Sequence, residues 1–314
     1  MNALLIRLTA FAGLLALAAC GASPKTDSIP PEAQVPAHYQ AVQDGEYLIP
    51  AVEPLHLFGT NPRAEVDYAG SEEPGTIVVD TYARVLYHVQ EGGKAMRYGI
   101  AVGREGISFR GTGYVGRKQD WPSWTPTANM VRTRPDLYAA YAGGLPGGLE
   151  NPLGARALYL YRGGRDTMFR VHGTIDNASI GRATSAGCIR LFNQDAIHLF
   201  ENAEIGDRIV VRTLEQSLAA EGPYMDDAYG RAVPDTPENR AQLEADKIAI
   251  AEAEAKAVED ARIAAEEAAK QAEKDERRRL RICRNRGIDE ADCPTLDELT
   301  GAAVAGEASA PAAG

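Results

Sequence analysis

From Glu238 to Ile282 the chain carries neither glycine nor proline, and Ala, Glu, Lys, Asp and Arg supply most of its residues. Such a stretch has one regular structure open to it. Alanine and straight-chain residues favour the helix, and acids and bases three or four apart support each other on its surface. Thr236-Pro237-Glu238 supplies a start, with Thr236 as cap and Pro237 at the first helical position. The spacing predicts a long polar α-helix over 236–282, about 65–70 Å at 1.5 Å per residue. Apolar residues larger than alanine, such as Leu243, Ile248, Ile250, Val258 and Ile263, are sparse and keep no heptad. The helix therefore reads as a solvated single rod, a spacer or a partner-binding element. A packed core must come from the residues before it.

Strand signals concentrate in that earlier part. TIVVDT, RVLYHV, MRYGIAVG, ARALYLY, TMFRVHGT and RIVVRT are β-branched or aromatic runs separated by turn residues. AEVDY is a candidate first strand. Residues 193–204 change period, with Ala196, Ile197, Phe200 and Ala203 on one helical face. A mainly β domain with one or two short helices is expected over 46–213, then a linker over 214–235. Residues 283–314 read as a cysteine-pair turn and a disordered Ala/Gly-rich tail.

The first twenty residues, MNALLIRLTAFAGLLALAAC, combine Arg7 with an apolar run too short for a comfortable membrane span. They read as a signal peptide. Leu17-Ala18-Ala19-Cys20 resembles a bacterial lipobox, which makes Cys20 the lipidated first residue of the mature chain and 21–45 a flexible linker from a membrane anchor. Gly21 follows that cysteine. By resemblance to enteric sorting, a residue other than Asp there favours the outer membrane, so a lipid-anchored periplasmic protein is expected. The net charge of −11 gives no general nucleic-acid footprint and no attraction to an anionic membrane surface.

Export into an oxidising compartment makes the four cysteines informative. With Cys20 lipidated, Cys283 and Cys293, ten apart in CRNRGIDEADC, are expected to pair. Cys188 is then the odd thiol. It follows Gly187 in VHGTIDNASIGRATSAGCIRLF, sixteen positions after His172. A nearby imidazole favours the reactive thiolate, a strand end presents His172 rigidly, and Gly187 allows close backbone approach. The amides of Gly187 and Cys188 would then point at a developing oxyanion. On spacing alone, a nucleophile with its base and a buried thiol beside a strand-end histidine stay equally open. Two distant histidines make no metal signature, and no cofactor is expected.

HGT followed by IGRATSAGCIRL resembles the signature of the L,D-transpeptidase catalytic domain (YkuD-like, ErfK/YbiS subgroup). PGTIVVDTYARVLYHV, YGIAVGREG, RKQDWPSWTP and NPLGARALYL fall in family order before it. The resemblance covers residues 46–213. It implies a β-sandwich-like domain with the cysteine in a cleft under a mobile flap, acting on peptidoglycan stem peptides. Cys188 would be the nucleophile and His172 the general base, held by backbone; Gly187 and Cys188 would form the oxyanion hole. Arg190 would meet a substrate carboxylate or a local acid. Gly173 and Thr174 fall to substrate binding by the same motif. Trp121 and Trp124, among prolines, fit a flap over a sugar or peptide, or packing.

Three functions follow. The first is a transpeptidase that releases D-Ala from a tetrapeptide stem and makes 3→3 cross-links. The second attaches an outer-membrane protein to peptidoglycan as acyl acceptor, or removes it. The third is a non-catalytic peptidoglycan-binding lipoprotein, which the intact His172, Gly187, Cys188 and Arg190 disfavour.

Overall fold

The computed structural model describes residues 35–103, 109–185 and 187–301; the signal segment with Cys20, the linker up to residue 34 and the tail from 302 lie outside them. The chain divides into two compact units, the first ending at Thr213 and the second starting at Leu214.

The first unit is mainly β. A hairpin, β1 (Val42–Asp44) and β2 (Tyr47–Ile49), opens it. Then come β3 (Ala64–Asp67), β4 (Ile77–Asp80), β5 (Val85–Gln90), β6 (Lys94–Gly99), the short β7 (Val102–Gly103) and the long β8 (Gly111–Asp120). Two short helices, α1 (Ala128–Thr133) and α2 (Pro135–Tyr138), interrupt the segment before β9 (Arg156–Arg162) and β10 (Arg165–His172). β11 (Ala183–Ser185), β12 (Ile189–Arg190), α3 (Asn193–Asn202) and β13 (Arg208–Val211) complete it.

Nine of these strands form one mixed sheet in the order β12-β10-β9-β8-β13-β4-β5-β6-β3, and β7 pairs with β11 beside it. Ala101, just past β6, bridges Arg190 of β12, so the two ends of the sheet curl toward each other. The enclosed side holds Ile77, Val79, Leu86, Tyr98, Val115, Leu158, Leu160, Val171, Ile189 and Ile209, packed with Ala196 and Leu199 of α3. These are the alternate residues of the β-branched runs, as period-2 strands require.

The expected 21–45 linker is too long at its C-terminal end. Val35 and Tyr39 are buried with Val52, Ala101, Ile180 and Phe192, and β1 starts at Val42. The physical reason lies in α3. Asp195 is fully buried, and a buried carboxylate must be partnered. Tyr39 Oη donates to Oδ2 at 2.9 Å and Arg63 Nη1 to Oδ1 at 2.9 Å. Burial pushes the Asp195 carboxyl up to about 7, against the pull of Arg63 and the Tyr39 hydroxyl. Arg63→Ala should therefore destabilise the protein by about 3–5 kcal/mol, because it strands that carboxylate. Urea denaturation checks this. Adding Asp195→Asn should recover much of the loss; a single variant within about 1 kcal/mol of wild type would show that Asp195 finds another partner.

The second unit corrects two boundaries. Residues 214–235, expected as a linker, form α4 (Leu214–Glu221) and a hairpin of β14 (Tyr224–Asp226) and β15 (Ala232–Pro234). Its runs are too short to show a period. The long helix, α5, spans Pro237–Arg286, four residues past the expected end. Thr236 caps its start by accepting from the Asn239 amide at 3.2 Å. Gly287, in the left-handed region at φ 69°, ends it, the first residue at which the chain leaves the helix without a side-chain penalty. Ion pairs such as Arg262–Glu266 (3.3 Å) and Lys270–Glu266 (2.7 Å) line its surface, while Ile248 and Val258 are exposed. Cys283 and Cys293 are disulfide-linked, tying the last turn of α5 to the strand-like chain before α6 (Leu296–Thr300). No helix of the described residues is long and apolar enough to cross a membrane.

Candidate active site

Strand register decides which side chains meet. Across β8, β9, β10 and β12, Gln119, Ala157, His172 and Arg190 form one row, and Lys118, Leu158, Val171 and Ile189 the next. Arg117, Tyr159 and Arg170 form a third. Successive rows face opposite sides of a sheet. The middle row carries core residues Leu158, Val171 and Ile189; the first and third therefore share the opposite face. Cys188 immediately precedes β12, which runs parallel to β10, and so lies level with Arg170. The fifteen residues between His172 and Cys188 return the chain to the neighbouring strand.

His172 ends β10 and is buried. Its Nδ1 lies 2.6 Å from the Gly173 carbonyl oxygen, a contact that fits Nδ1–H donating and leaves Nε2 as the basic nitrogen. Burial and the Arg190 cation hold its pKa at about 4, although the Gly173 and Leu153 carbonyls favour the protonated ring. Cys188 is half-buried, and burial raises its thiol above the ordinary range; a backbone hydrogen bond from Arg170 and the charges of Arg170 and Arg190 oppose this. Both groups therefore rest neutral near pH 7. The chemistry open to them is attack assisted by proton transfer, not a preformed thiolate–imidazolium pair.

The turn before Cys188 is held by Ser185. Its hydroxyl donates to the Cys188 carbonyl at 2.6 Å and accepts from the Gly187 amide at 3.1 Å. Gly187 sits at φ 124°, where a side chain would be strained. The Gly187 amide, expected to face an oxyanion, is hydrogen-bonded to the Ser185 hydroxyl in this turn. The Cys188 amide has no acceptor among the described residues.

Gly173 and Thr174 are clamped from α3. Asn193 Oδ1 accepts from the Ala155 amide at 2.9 Å, and Nδ2 donates to the Thr174 carbonyl at 3.0 Å. A Cβ on Gly173 would stand 2.1 Å from Asn193 Oδ1, so packing by itself demands glycine there. The Thr174 hydroxyl accepts from the Asp176 amide at 3.0 Å. Arg190 lies 3.8 Å from Asp176, the local-acid alternative. Trp121 turns away to the first hairpin, where its indole N–H donates to Asp44 at 2.9 Å and its ring lies 4.2 Å from that of Tyr47. Trp124 bridges Leu145 and gathers Tyr138 and Tyr141 around it.

The sequence reading missed Asn193, Arg117, Tyr159, and the Asp166–Arg170 pair. Arg170 had a readable signal, since it stands two before His172 on one strand and shares its face. Asp166 reaches Arg170 only because β10 bulges between them, which the sequence does not announce.

The family model for the L,D-transpeptidase catalytic domain (YkuD) matches residues 74–211. A putative L,D-transpeptidase from Fuscovulum blasticum is 32% identical over 164 residues, covering 52% of this chain and 82% of its own. The probable L,D-transpeptidase ErfK/SrfK of Escherichia coli is 32% identical over 139 residues, and the chain spans 43% of that relative's length. A crystal structure from Brucella melitensis, described as a probable carnitine operon oxidoreductase, is 40% identical, covering 50% of this chain and 96% of its own at a TM-score of 0.35. The matched segment contains His172, Gly187, Cys188 and Arg190, brought together on one edge of the sheet, and by that match and the Fuscovulum relative the chain belongs to the L,D-transpeptidase (YkuD) family.

Proposed function

We propose that the protein is an L,D-transpeptidase acting on the tetrapeptide stems of peptidoglycan, with Cys188 as nucleophile and His172 as general base. The observation that carries this reading is the parallel pairing of His172 with Arg190, which sets Cys188 beside the end of β10 on the face that His172 shares. His172 Nε2 takes the thiol proton as sulfur attacks the carbonyl between diaminopimelate and the terminal D-Ala. The Cys188 amide donates to the developing oxyanion, because the Gly187 amide is committed to Ser185. Collapse breaks the C–N bond, the proton passes from His172 to the leaving D-Ala amine, and a thioester remains. An amine of a second stem then attacks the thioester, His172 takes its proton, and the thiolate leaves and is reprotonated. Splitting one acyl transfer this way gives two easier steps.

Arg190 faces this site with, among the described residues, one long ion pair to Asp176 and suits a substrate carboxylate. Gly173 and Thr174 line the base side as backbone. Trp124, with Tyr138 and Tyr141, forms an aromatic rim in the segment between β8 and β9, and Trp121 anchors that segment to the first hairpin. Lipidation at Cys20 and a periplasmic, outer-membrane location complete the proposal, resting on the sequence MNALLIRLTAFAGLLALAAC.

Incubating the purified protein with a diaminopimelate-containing tetrapeptide should release D-Ala and give a 3→3-linked dimer by mass. No release from folded protein would overturn the reading. Muropeptides bearing peptide remnants of a protein, instead of dimers, would transfer it to the protein-attaching alternative.

A further inference from the structure

The third row of the outer sheet face holds a pair of cations that the proposed chemistry does not use. Arg117 on β8 and Arg170 on β10 both stack on Tyr159 of the strand between them, their guanidinium carbons 3.6 and 4.1 Å from the ring centroid. Tyr159 is left only 6% exposed although it lies on the outer face. The two cations are not equivalent. Arg170 is gripped by both oxygens of Asp166, at 2.7 and 2.9 Å, and its charge is locally offset. Arg117 is exposed, and among the described residues it has no ion pair or hydrogen bond to a carboxylate. Two like charges on one ring, one of them neutralised, leave an uncompensated positive charge at the far end of the row that begins level with Cys188. A guanidinium laid against a ring keeps its planar fork of N–H donors free at the edge, the geometry that takes a carboxylate bidentately.

We propose that Arg117 is a specificity-determining residue that binds a free carboxylate of the donor peptide at a distance from the scissile carbonyl. The proposal rests on the transpeptidase reading. Neighbouring strands lie about 4.7–4.9 Å apart, so Tyr159, two strands from β12, stands about 9.4–9.8 Å from the level of Cys188. An extended peptide covers about 3.3–3.6 Å per residue, so a group held over Tyr159 lies about three residue lengths from the thiol. In the stem peptide the free carboxylates of that reach are the distal carboxylate of the diaminopimelate side chain and the α-carboxylate of the γ-linked glutamate. The terminal D-Ala carboxylate, next to the scissile bond, is too near.

The test uses the full chain and three tetrapeptides: one with both carboxylates free, one amidated at the diaminopimelate distal carboxyl, and one amidated at the glutamate α-carboxyl. Binding is measured by calorimetry on Cys188→Ala protein, with and without Arg117→Gln, and D-Ala release on the corresponding pair that keeps Cys188. With Arg117 present, one amidated peptide should bind about tenfold more weakly than the free acid, and its identity names the carboxylate. Arg117→Gln should bring that ratio close to one, and Arg117→Lys should restore part of it, keeping charge without the planar fork. In turnover the effect should fall on KM more than on kcat, as for a contact made equally before and during reaction. A preference that survives Arg117→Gln, or equal binding of all three peptides with Arg117 present, overturns the proposal. Absence of D-Ala release with the binding preference intact would overturn the transpeptidase reading and leave Arg117 as a carboxylate site.

Discussion

Cys188→Ala is expected to abolish D-Ala release, with kcat/KM falling about 10⁴-fold or more, and to abolish every acyl adduct on the protein. The substitution removes the only free thiol among the described residues and nothing that holds the fold: the turn around it is built from Ser185 and backbone groups that alanine retains. The circular dichroism spectrum and melting curve should therefore stay close to wild type. Intact-mass analysis after incubation with substrate, followed by peptide mapping, is the measurement. Wild-type protein should gain the acyl mass on the peptide containing Cys188. An adduct on another residue, or D-Ala release undiminished in the variant, would remove Cys188 from the reaction.

His172→Ala should slow acylation by about 10²–10⁴-fold and change the form of its pH dependence. In the wild type the base must be neutral to accept the thiol proton. Burial and Arg190 depress its pKa to about 4, so the acid limb of the rate should lie near that pH, well below the ordinary histidine value of about 6.5. The rate should then stay level through neutral pH, because the thiol is held above its ordinary range. Without His172 the plateau disappears, and the rate should rise with pH as thiolate forms. A wild-type acid limb near 6.5 would contradict the neutral buried imidazole. The same shift predicts a stability slope. The unfolded chain binds a proton at His172 below about 6.5 while the native protein does so only near 4, so stability rises with pH across that window. Asp195, raised to about 7, binds its proton more tightly when folded and opposes the slope above about 4. Rate is therefore the cleaner readout.

What could be read from the linear chain was what is local or carried by motif. Runs such as TIVVDT and ARALYLY gave the strands, because β-branched and aromatic residues gather in short continuous stretches where a strand is buried on both faces. The composition of 236–282 dictated the helix, and Thr236-Pro237 its start, since caps act within one turn. The HGT and SAGCIRL segments marked His172, Gly187, Cys188 and Arg190. Only tertiary structure decided the rest. That Val35 to Asp44 belongs to the domain follows from Asp195, more than a hundred residues away, which needs Tyr39 and Arg63 as partners. That Gly187 is occupied by Ser185, that Trp121 serves Asp44, and that Arg117 and Arg170 share the ring of Tyr159 follow from turn geometry, a bulge and the register of four strands. Register is set by contacts among residues far apart in sequence, and a slip of one position would have sent each of these side chains to the opposite face.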